Sequence, residues 1–408
     1  MAGFACRICG CSIEPFMSFG AQPVANGFVD ANEIQNEEFF ELAPAWCSRC
    51  GMVQLKDQPP PTTMFHDQYA FFSRTSKRMG THFKEFASSV QQRYLADKQD
   101  PLVLELGSND GILLEYFARA GVRHLGIEPS ANVAAAAGEI GVETWVEFFS
   151  ESLARKIVHE KGRAAVVLAA NVMCHIPDLP MMARGIRTLL DENGVFIFED
   201  PYLGDVLQKT SYDQFYDEHV FLFCVRSVQS AFVSAGLELI EVAPQSTHGG
   251  SMRYTLAPQG SKPVCESVER QLTIEEKLGL DERETYTNFK GKCEKSRTAF
   301  KGILDELIQS GHRVTGYGAT SKSTTVLNYC GITPEYIEYI SDTTPGKQGK
   351  MTPGTHIPVV SPVEFHRNPP DVAVLFAWNH QEEILANEKA FEDTGGRWLV
   401  YVPEVKLL

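Results

Sequence analysis

Short apolar runs, each closed by a glycine or an acid and followed by a helical pattern, punctuate the chain from residue 101 onward. Leu102 to Leu106 forms one such run; it ends at Gly107, and a helical pattern begins near Gly111. The next, "HLGIEPS", ends in Glu128, and "AAVVLAANV" (164–172) and "GVFIFEDP" (194–201) continue the alternation. Strands of this length alternating with helices predict a largely parallel sheet covered on both faces. After a helix near 227–236, "LELIEVAP" and "SMRYTLAP" read as an antiparallel pair that closes the sheet. Residues 261–310 are rich in Glu, Lys and Arg with periodic apolar positions, the pattern of long connecting helices. A second strand–glycine loop–helix unit starts at 312, with further strands near 336–341 and 371–377. Between those two strands lies a Gly-, Pro- and Lys-rich stretch, "SDTTPGKQGKMTPGTHIPVV", which reads as a loop able to close over a ligand. Upstream, "PPP" (59–61) marks a linker, and the pattern turns helical from about Ser76.

The 408 residues exceed one ordinary core, and the patterning divides them at 1–66, 67–260 and 261–408. Acidic residues outnumber basic ones 52 to 37, for a net charge of −15, which argues against a nucleic-acid partner. No apolar run approaches the ~18–20 residues of a membrane span. The first residues, "MAGFACRICG", lack the basic region and apolar stretch of a secretion signal, so a cytoplasmic protein is expected.

Five of the ten cysteines lie in the first fifty residues. "CRICG" and "CSRCG" share the form C-x-x-C-G, in which two thiolates reach one ion across a tight turn and the glycine lets the backbone leave it. Cys6, Cys9, Cys47 and Cys50 are the expected ligands of a structural zinc, with an inserted segment between the pairs. Cys11 is a competing ligand that the spacing makes less attractive, and the remaining five cysteines read as small buried apolar residues. A closed four-cysteine site organises a fold and leaves no position open for chemistry.

"ELGSNDG" (105–111) differs from the dinucleotide fingerprint and resembles motif I of class I S-adenosylmethionine-dependent methyltransferases. Glu128, at the end of the following strand, suits ribose hydroxyls by the logic of nucleotide-binding sheets. Ligands bind at the carboxyl ends of such strands, which gathers Gly107, Glu128, Asn171 and Asp200 around one crevice, with His175 on the same rim. The loop "YLGDVLQKTSYDQFYDEHVFLF" (202–223) follows a strand end over that crevice and carries Glu218-His219. A neutral imidazole there can take a proton from a carbon acid, and Glu218 is expected to orient the ring. In the second unit Gly316 and Gly318 allow close backbone approach, and the helix from Ser321 with Lys322 could meet a phosphate.

Taken together, "CxxCG…CxxCG", "ELGSNDG", "YDEHVF", "THGGSMR", "YGATSK" and "PGKQGKMTPGTHIP" resemble, over nearly the whole chain, the sugar C-methyltransferases that act on nucleotide-linked keto-deoxysugars. The resemblance implies an α/β chain of three parts: a small zinc-binding N-terminal domain, a class I methyltransferase Rossmann-like domain and a C-terminal Rossmann-like domain. It implies methyl transfer to a ring carbon, C3 beside a 4-keto group, on a dTDP-linked sugar by a monomer or small homo-oligomer. His219 matches the general base, with Glu218, Tyr216, His175 and Tyr69 as active-site companions. Glu105, Gly107, Asn109, Gly111, Glu128, Pro129 and Asn171 match S-adenosylmethionine contacts, and Ser321, Lys322, Asp342, Lys347 and Asn379 fall on the nucleotide-sugar side. Relatives often carry Asp where this chain has Glu147, in "VEFF", a departure that touches only adenine recognition. The rival enzymatic reading is O- or N-methylation of a related sugar, which needs no adjacent ketone.

Overall fold

The computed structural model describes residues 3–64, 72–75 and 77–408. Tyr69, Ser76 and the boundary expected at 66/67 lie outside them. The apolar runs of the middle region form one seven-stranded sheet. From edge to edge its strands are Leu237–Gln245, Ser251–Pro258, Leu190–Pro201, Ala164–Ala170, Leu102–Leu106, Arg123–Ile127 and Thr144–Trp145. Neighbours from Leu190–Pro201 to Thr144–Trp145 pair in parallel, whereas Ser251–Pro258 runs antiparallel to both its neighbours. Counted in chain order, the sheet reads 6-7-5-4-1-2-3, the arrangement of a class I methyltransferase with its closing hairpin. The strand order reverses between Leu102–Leu106 and Ala164–Ala170, which opens a crevice at their carboxyl ends. Val103, Leu104, Val166, Val167 and Leu168 are fully buried, as strands covered on both faces must be.

The acidic, periodic stretch forms helices Glu266–Lys277 and Arg283–Gln309. They lead to a second sheet, ordered Val359–Val360, Ile340–Ser341, Val314–Tyr317, Val372–Leu375, Arg397–Val400 and Lys406–Leu407, parallel except for its last strand. Its crevice opens between Val314–Tyr317 and Val372–Leu375, so Gly318 and Trp378 stand at its rim.

The segment inserted between the two cysteine pairs reaches both larger parts of the chain. Val29 exchanges backbone hydrogen bonds with Met351, and the Thr324 hydroxyl donates to the carbonyl of Ala25 (2.8 Å). Glu37 accepts from the Gly354 amide (2.7 Å) and pairs with His356 (2.5 Å). Strand Val53–Leu55, just past the second cysteine pair, pairs antiparallel with Phe221–Leu222. The zinc-binding region therefore grips the chain immediately after His219. No described helix is long and apolar enough to cross a membrane.

Candidate active site and zinc centre

Each C-x-x-C-G turn closes as its spacing requires: Gly10 donates to the Cys6 carbonyl and Gly51 to the Cys47 carbonyl, with positive φ at both glycines. The four sulfurs of Cys6, Cys9, Cys47 and Cys50 lie within 4.8 Å of one another, with Cys6–Cys50 at 3.6 Å and Cys9–Cys47 at 3.5 Å. A tetrahedral zinc with Zn–S near 2.3 Å has sulfur–sulfur edges of about 3.8 Å, so the set fits. The contact with Cys50 draws the Cys6 thiol down to about 4 and pushes Cys50 up. One thiolate shared among crowded thiols is what a divalent cation resolves by ionising all four. Gln54 donates to Cys6 Sγ (3.1 Å) from the strand that pairs with Phe221, linking this centre to the loop that carries His219. Cys11 stands outside the cluster and accepts instead from Arg49 (3.5 Å).

At the first crevice the Glu128 carboxylate is aimed by two backbone amides, those of Asn109 (3.0 Å) and Ser130 (2.9 Å). Burial raises its pKa, and Glu105, in the strand Leu102–Leu106 that leads into Gly107, is pushed well above the usual carboxylate range, again first by burial. Asn109 and Asn171 both adopt positive φ, as residues at a tightly turned rim do. The glycines were expected to make room for a ligand, but packing also requires them: a Cβ on Gly107 would collide with Val172, and one on Gly111 would crowd Ala137 and Val142 at 3.1 Å. Pro129 lies between Glu128 and the helix Ala131–Glu139. Asp200, expected at the rim, is fully buried, and its carboxyl is pushed up to about 8 by that burial.

The loop that carries His219 is almost wholly enclosed: Asp213, Gln214, Tyr216, Asp217, Glu218 and His219 are all buried. His219 Nδ1 pairs with the carbonyl of Gln214 (2.9 Å), and Nε2 with the Tyr216 hydroxyl (2.8 Å). A carbonyl only accepts, so the proton of a neutral ring sits on Nδ1 and Nε2 keeps its lone pair. Burial, then the neighbouring His175 and Lys322, hold His219 well below the ordinary imidazole value. His175 stacks on it with centroids 5.4 Å apart, and burial lowers His175 to about 4.

Glu218 does not orient this ring as expected. The Gln214 carbonyl does so, while Glu218 accepts from Asn26 Nδ2 (2.6 Å) of the zinc-binding region. Asp217 beside it accepts from the Ala25 amide (3.0 Å). The Ala25–Asn26 clamp carries no local sequence signal, because it joins positions 192 residues apart.

On the C-terminal side, Asp342 is held by the amides of Ala319 (2.8 Å) and Thr344 (2.7 Å). Lys347 donates to the Ala319 carbonyl (2.8 Å) beside the Phe28 ring. The Asn379 carbonyl accepts from Arg78 (3.4 Å), and Ser321 opens the helix Ser321–Cys330 capped by Thr320. Lys322 is brought to the loop that carries His219, beside Asp213 and Trp378, together with His248. Asp213, His248 and Trp378 are site neighbours that sequence reading did not single out for a role; "THGGS" was the only available pointer to His248.

Compared with characterised proteins, the chain is 33% identical to C-methyltransferase NovU of Streptomyces niveus over 406 residues, covering 99% of this chain and 96% of that protein. The chain belongs to this C-methyltransferase family. Three domain families tile the C-methyltransferase: a zinc binding domain over residues 6–65, a methyltransferase domain over 79–242 and a C-methyltransferase C-terminal domain over 246–403. Among solved structures, magnesium protoporphyrin IX methyltransferase of Synechocystis with bound S-adenosylmethionine aligns at 18% identity, over 47% of this chain and 85% of that one (TM-score 0.33). The CcbJ methyltransferase of Streptomyces caelestis aligns at 16% identity, over 44% and 90% (TM-score 0.34). The enzyme is thus an S-adenosylmethionine-dependent C-methyltransferase with a zinc-binding N-terminal domain.

Proposed function

We propose that this C-methyltransferase methylates C3 of a dTDP-linked 4-keto-deoxysugar, through removal of the C3 proton by His219 and an enolate. The observation that carries the reading is the state of His219. It is buried and neutral, with its tautomer fixed by the Gln214 carbonyl so that the basic lone pair lies on Nε2. Carbon methylation needs a carbanion, and a ketone beside the reacting carbon supplies its acidity by delocalising charge onto oxygen. The Tyr216 hydroxyl at Nε2 and the stacked His175 are positioned companions for that proton transfer. S-adenosylmethionine, when bound, supplies an electrophilic methyl group on a sulfonium. Glu128, held by two amides at the crevice mouth, is the residue for its ribose.

The nucleotide end of the substrate is supported by the second sheet. There Asp342 repeats, at a strand end beside a glycine loop, the amide-held carboxylate seen at Glu128. Ser321 starts the helix after that glycine loop, Lys347 donates to the Ala319 carbonyl within it, and Asn379 follows the strand Val372–Leu375; on this reading all three meet the nucleotide sugar. The test is a reaction of the enzyme with S-adenosylmethionine and a dTDP-4-keto-2,6-dideoxyhexose in deuterated buffer, followed by NMR and mass spectrometry. A product heavier by one methyl group, with a new C–CH₃ signal at C3, is expected. A methyl group on oxygen or nitrogen, or no exchange and no product across a panel of nucleotide sugars, would overturn the reading.

A further inference from the structure

Lys322 is 92% buried by its 8% exposure, and its Nζ has no hydrogen-bond partner among the described residues. An ammonium stripped of water without a partner is costly to bury, so its persistence calls for an explanation. It projects from the first turn of the helix Ser321–Cys330, whose amide end favours negative charge nearby. This helix is docked on the base loop: the Thr325 hydroxyl donates to the Phe215 carbonyl (2.8 Å).

The surroundings of Lys322 are those of the base. Its Nζ lies 5.5 Å from the centre of the Trp378 ring. The Trp378 indole N–H donates to Asp213 (2.6 Å), as does the Tyr401 hydroxyl (2.9 Å). Asp213 is followed by Gln214, whose carbonyl holds His219 and whose side chain donates to the His248 carbonyl (2.7 Å). Trp378 packs on Gly249, where any Cβ would collide with the indole. Burial draws the Lys322 amine below its ordinary value, Asp213 acts the other way as its counter-charge, and Lys322 in turn lowers His219, His248 and His380, all of them lowered first by burial. One of the Asp213 carboxylate oxygens is also buried without a hydrogen bond. Among the described residues, the Lys322 amine thus has no hydrogen-bond partner and forms no ion pair with Asp213, its nearby opposite charge, while Gln214, the residue after Asp213, holds the His219 ring.

That arrangement fits a single negative charge that appears during reaction better than a diphosphate. A diphosphate would bring several permanent charges against Asp213. We propose that Lys322 is a catalytic residue that stabilises the enolate oxygen of the keto substrate; this rests on the C-methylation reading above. The C–H bond breaks and its proton passes to His219 Nε2. The bonding pair moves toward the carbonyl, whose oxygen takes the negative charge opposite the ammonium. As the carbon then bonds to the methyl group, the S–CH₃ pair stays on sulfur and the carbonyl re-forms. Lys322 keeps its proton throughout.

The test compares wild type with Lys322→Met and Lys322→Gln, with S-adenosylmethionine binding as the check on folding; Lys322→Gln reads the same comparison if Lys322→Met does not bind the cofactor. Two quantities are measured: the rate of deuterium entry at the substrate carbon in deuterated buffer, and the inhibition constant of dTDP alone. Removing an oxyanion donor of this kind typically costs about a hundredfold or more. Deuterium entry and methyl transfer should both fall by about that factor, with dTDP inhibition unchanged within about threefold. Weakening of dTDP inhibition by as much as the rate falls would assign Lys322 to the phosphates and overturn the proposal, and so would unchanged exchange. A wild-type enzyme that neither exchanges nor methylates this sugar would overturn the substrate reading and the role of Lys322 with it.

Discussion

The two sheets of the enzyme build the same device twice. In the first, Gly107 donates to the Ile127 carbonyl (2.8 Å) at the end of the second strand, and Glu128, the next residue, accepts from Asn109 and from Ser130 two positions on. In the second, Gly318 donates to the Ser341 carbonyl (2.8 Å), and Asp342, the next residue, accepts from Ala319 and from Thr344 two positions on. Each device presents a carboxylate, pinned by backbone, at the crevice where its sheet changes direction. They differ in what lies behind. Two residues before its glycine, the first strand carries the buried acid Glu105, whereas the second has Gly316, where a Cβ would meet Ile340 and Phe376 at 2.8 Å. The lesson is that neither device carries His219, the proposed base. His219 comes from the connection after Leu190–Pro201, and it is held in place by the zinc-binding region and by the helix that carries Lys322.

The harshest way to break this comparison is to remove the third party. Stripping zinc with a strong chelator should disorder the cysteine turns, release Val53–Leu55 from Phe221–Leu222 and free Glu218 from Asn26. Turnover should fall to background while S-adenosylmethionine affinity, measured by calorimetry, changes less than about tenfold. Equal loss of both would mean that the zinc-binding region supports the whole chain and not the base loop.

Isosteric changes sharpen the comparison by silencing one carboxylate at a time. A hydrogen bond to a charged group is worth about 1.5–3 kcal/mol, or roughly 10–100-fold in affinity. Glu128→Gln should weaken S-adenosylmethionine binding by about that factor and leave the KM of the nucleotide sugar alone. Asp342→Asn should do the reverse, raising the sugar's KM about tenfold with cofactor binding intact. If both variants affected the same ligand, the two devices would not divide the substrates between them.

The smallest effect concerns pH. The reactive form of His219 is neutral, and burial, His175, Lys322 and His248 all disfavour its protonation, with only the Gln214 carbonyl acting the other way. Its folded value therefore lies below the ordinary 6.5, and protonation of the base begins only at lower pH. The kcat/KM should stay level as pH falls from about 8 to 6.5 and decline below that. An acid limb already complete at pH 6.5 would contradict the neutral, buried base.

What was legible in the sequence followed from how local each signal is. The strands ending at Leu106, Ile127 and Ala170 each announce themselves by an apolar run and a turn residue, and both cysteine turns by their own spacing. The strand order also gave the expectation that His219 lies near the first crevice, and the ring stacks on His175, just past the strand Ala164–Ala170. The partners of His219 were not legible. Glu218-His219 are adjacent in sequence, which suggested that one orients the other, yet the tight turn sends the carboxylate to Asn26 and leaves the ring to a backbone carbonyl that no side-chain pattern reports. Lys322 likewise read as a phosphate ligand from its helix, while its neighbours Asp213, His248 and Trp378 come from three separate stretches that only tertiary packing brings together.

The most direct measurement is on His219→Asn. Asn has no basic ring nitrogen to accept a proton, and the change leaves the residues of the S-adenosylmethionine crevice in place. Turnover and deuterium entry at the substrate carbon should both vanish, with S-adenosylmethionine affinity within a few-fold of wild type. A loss of cofactor affinity as large as the loss in rate, or deuterium entry that persists at the wild-type rate, would contradict His219 as the base.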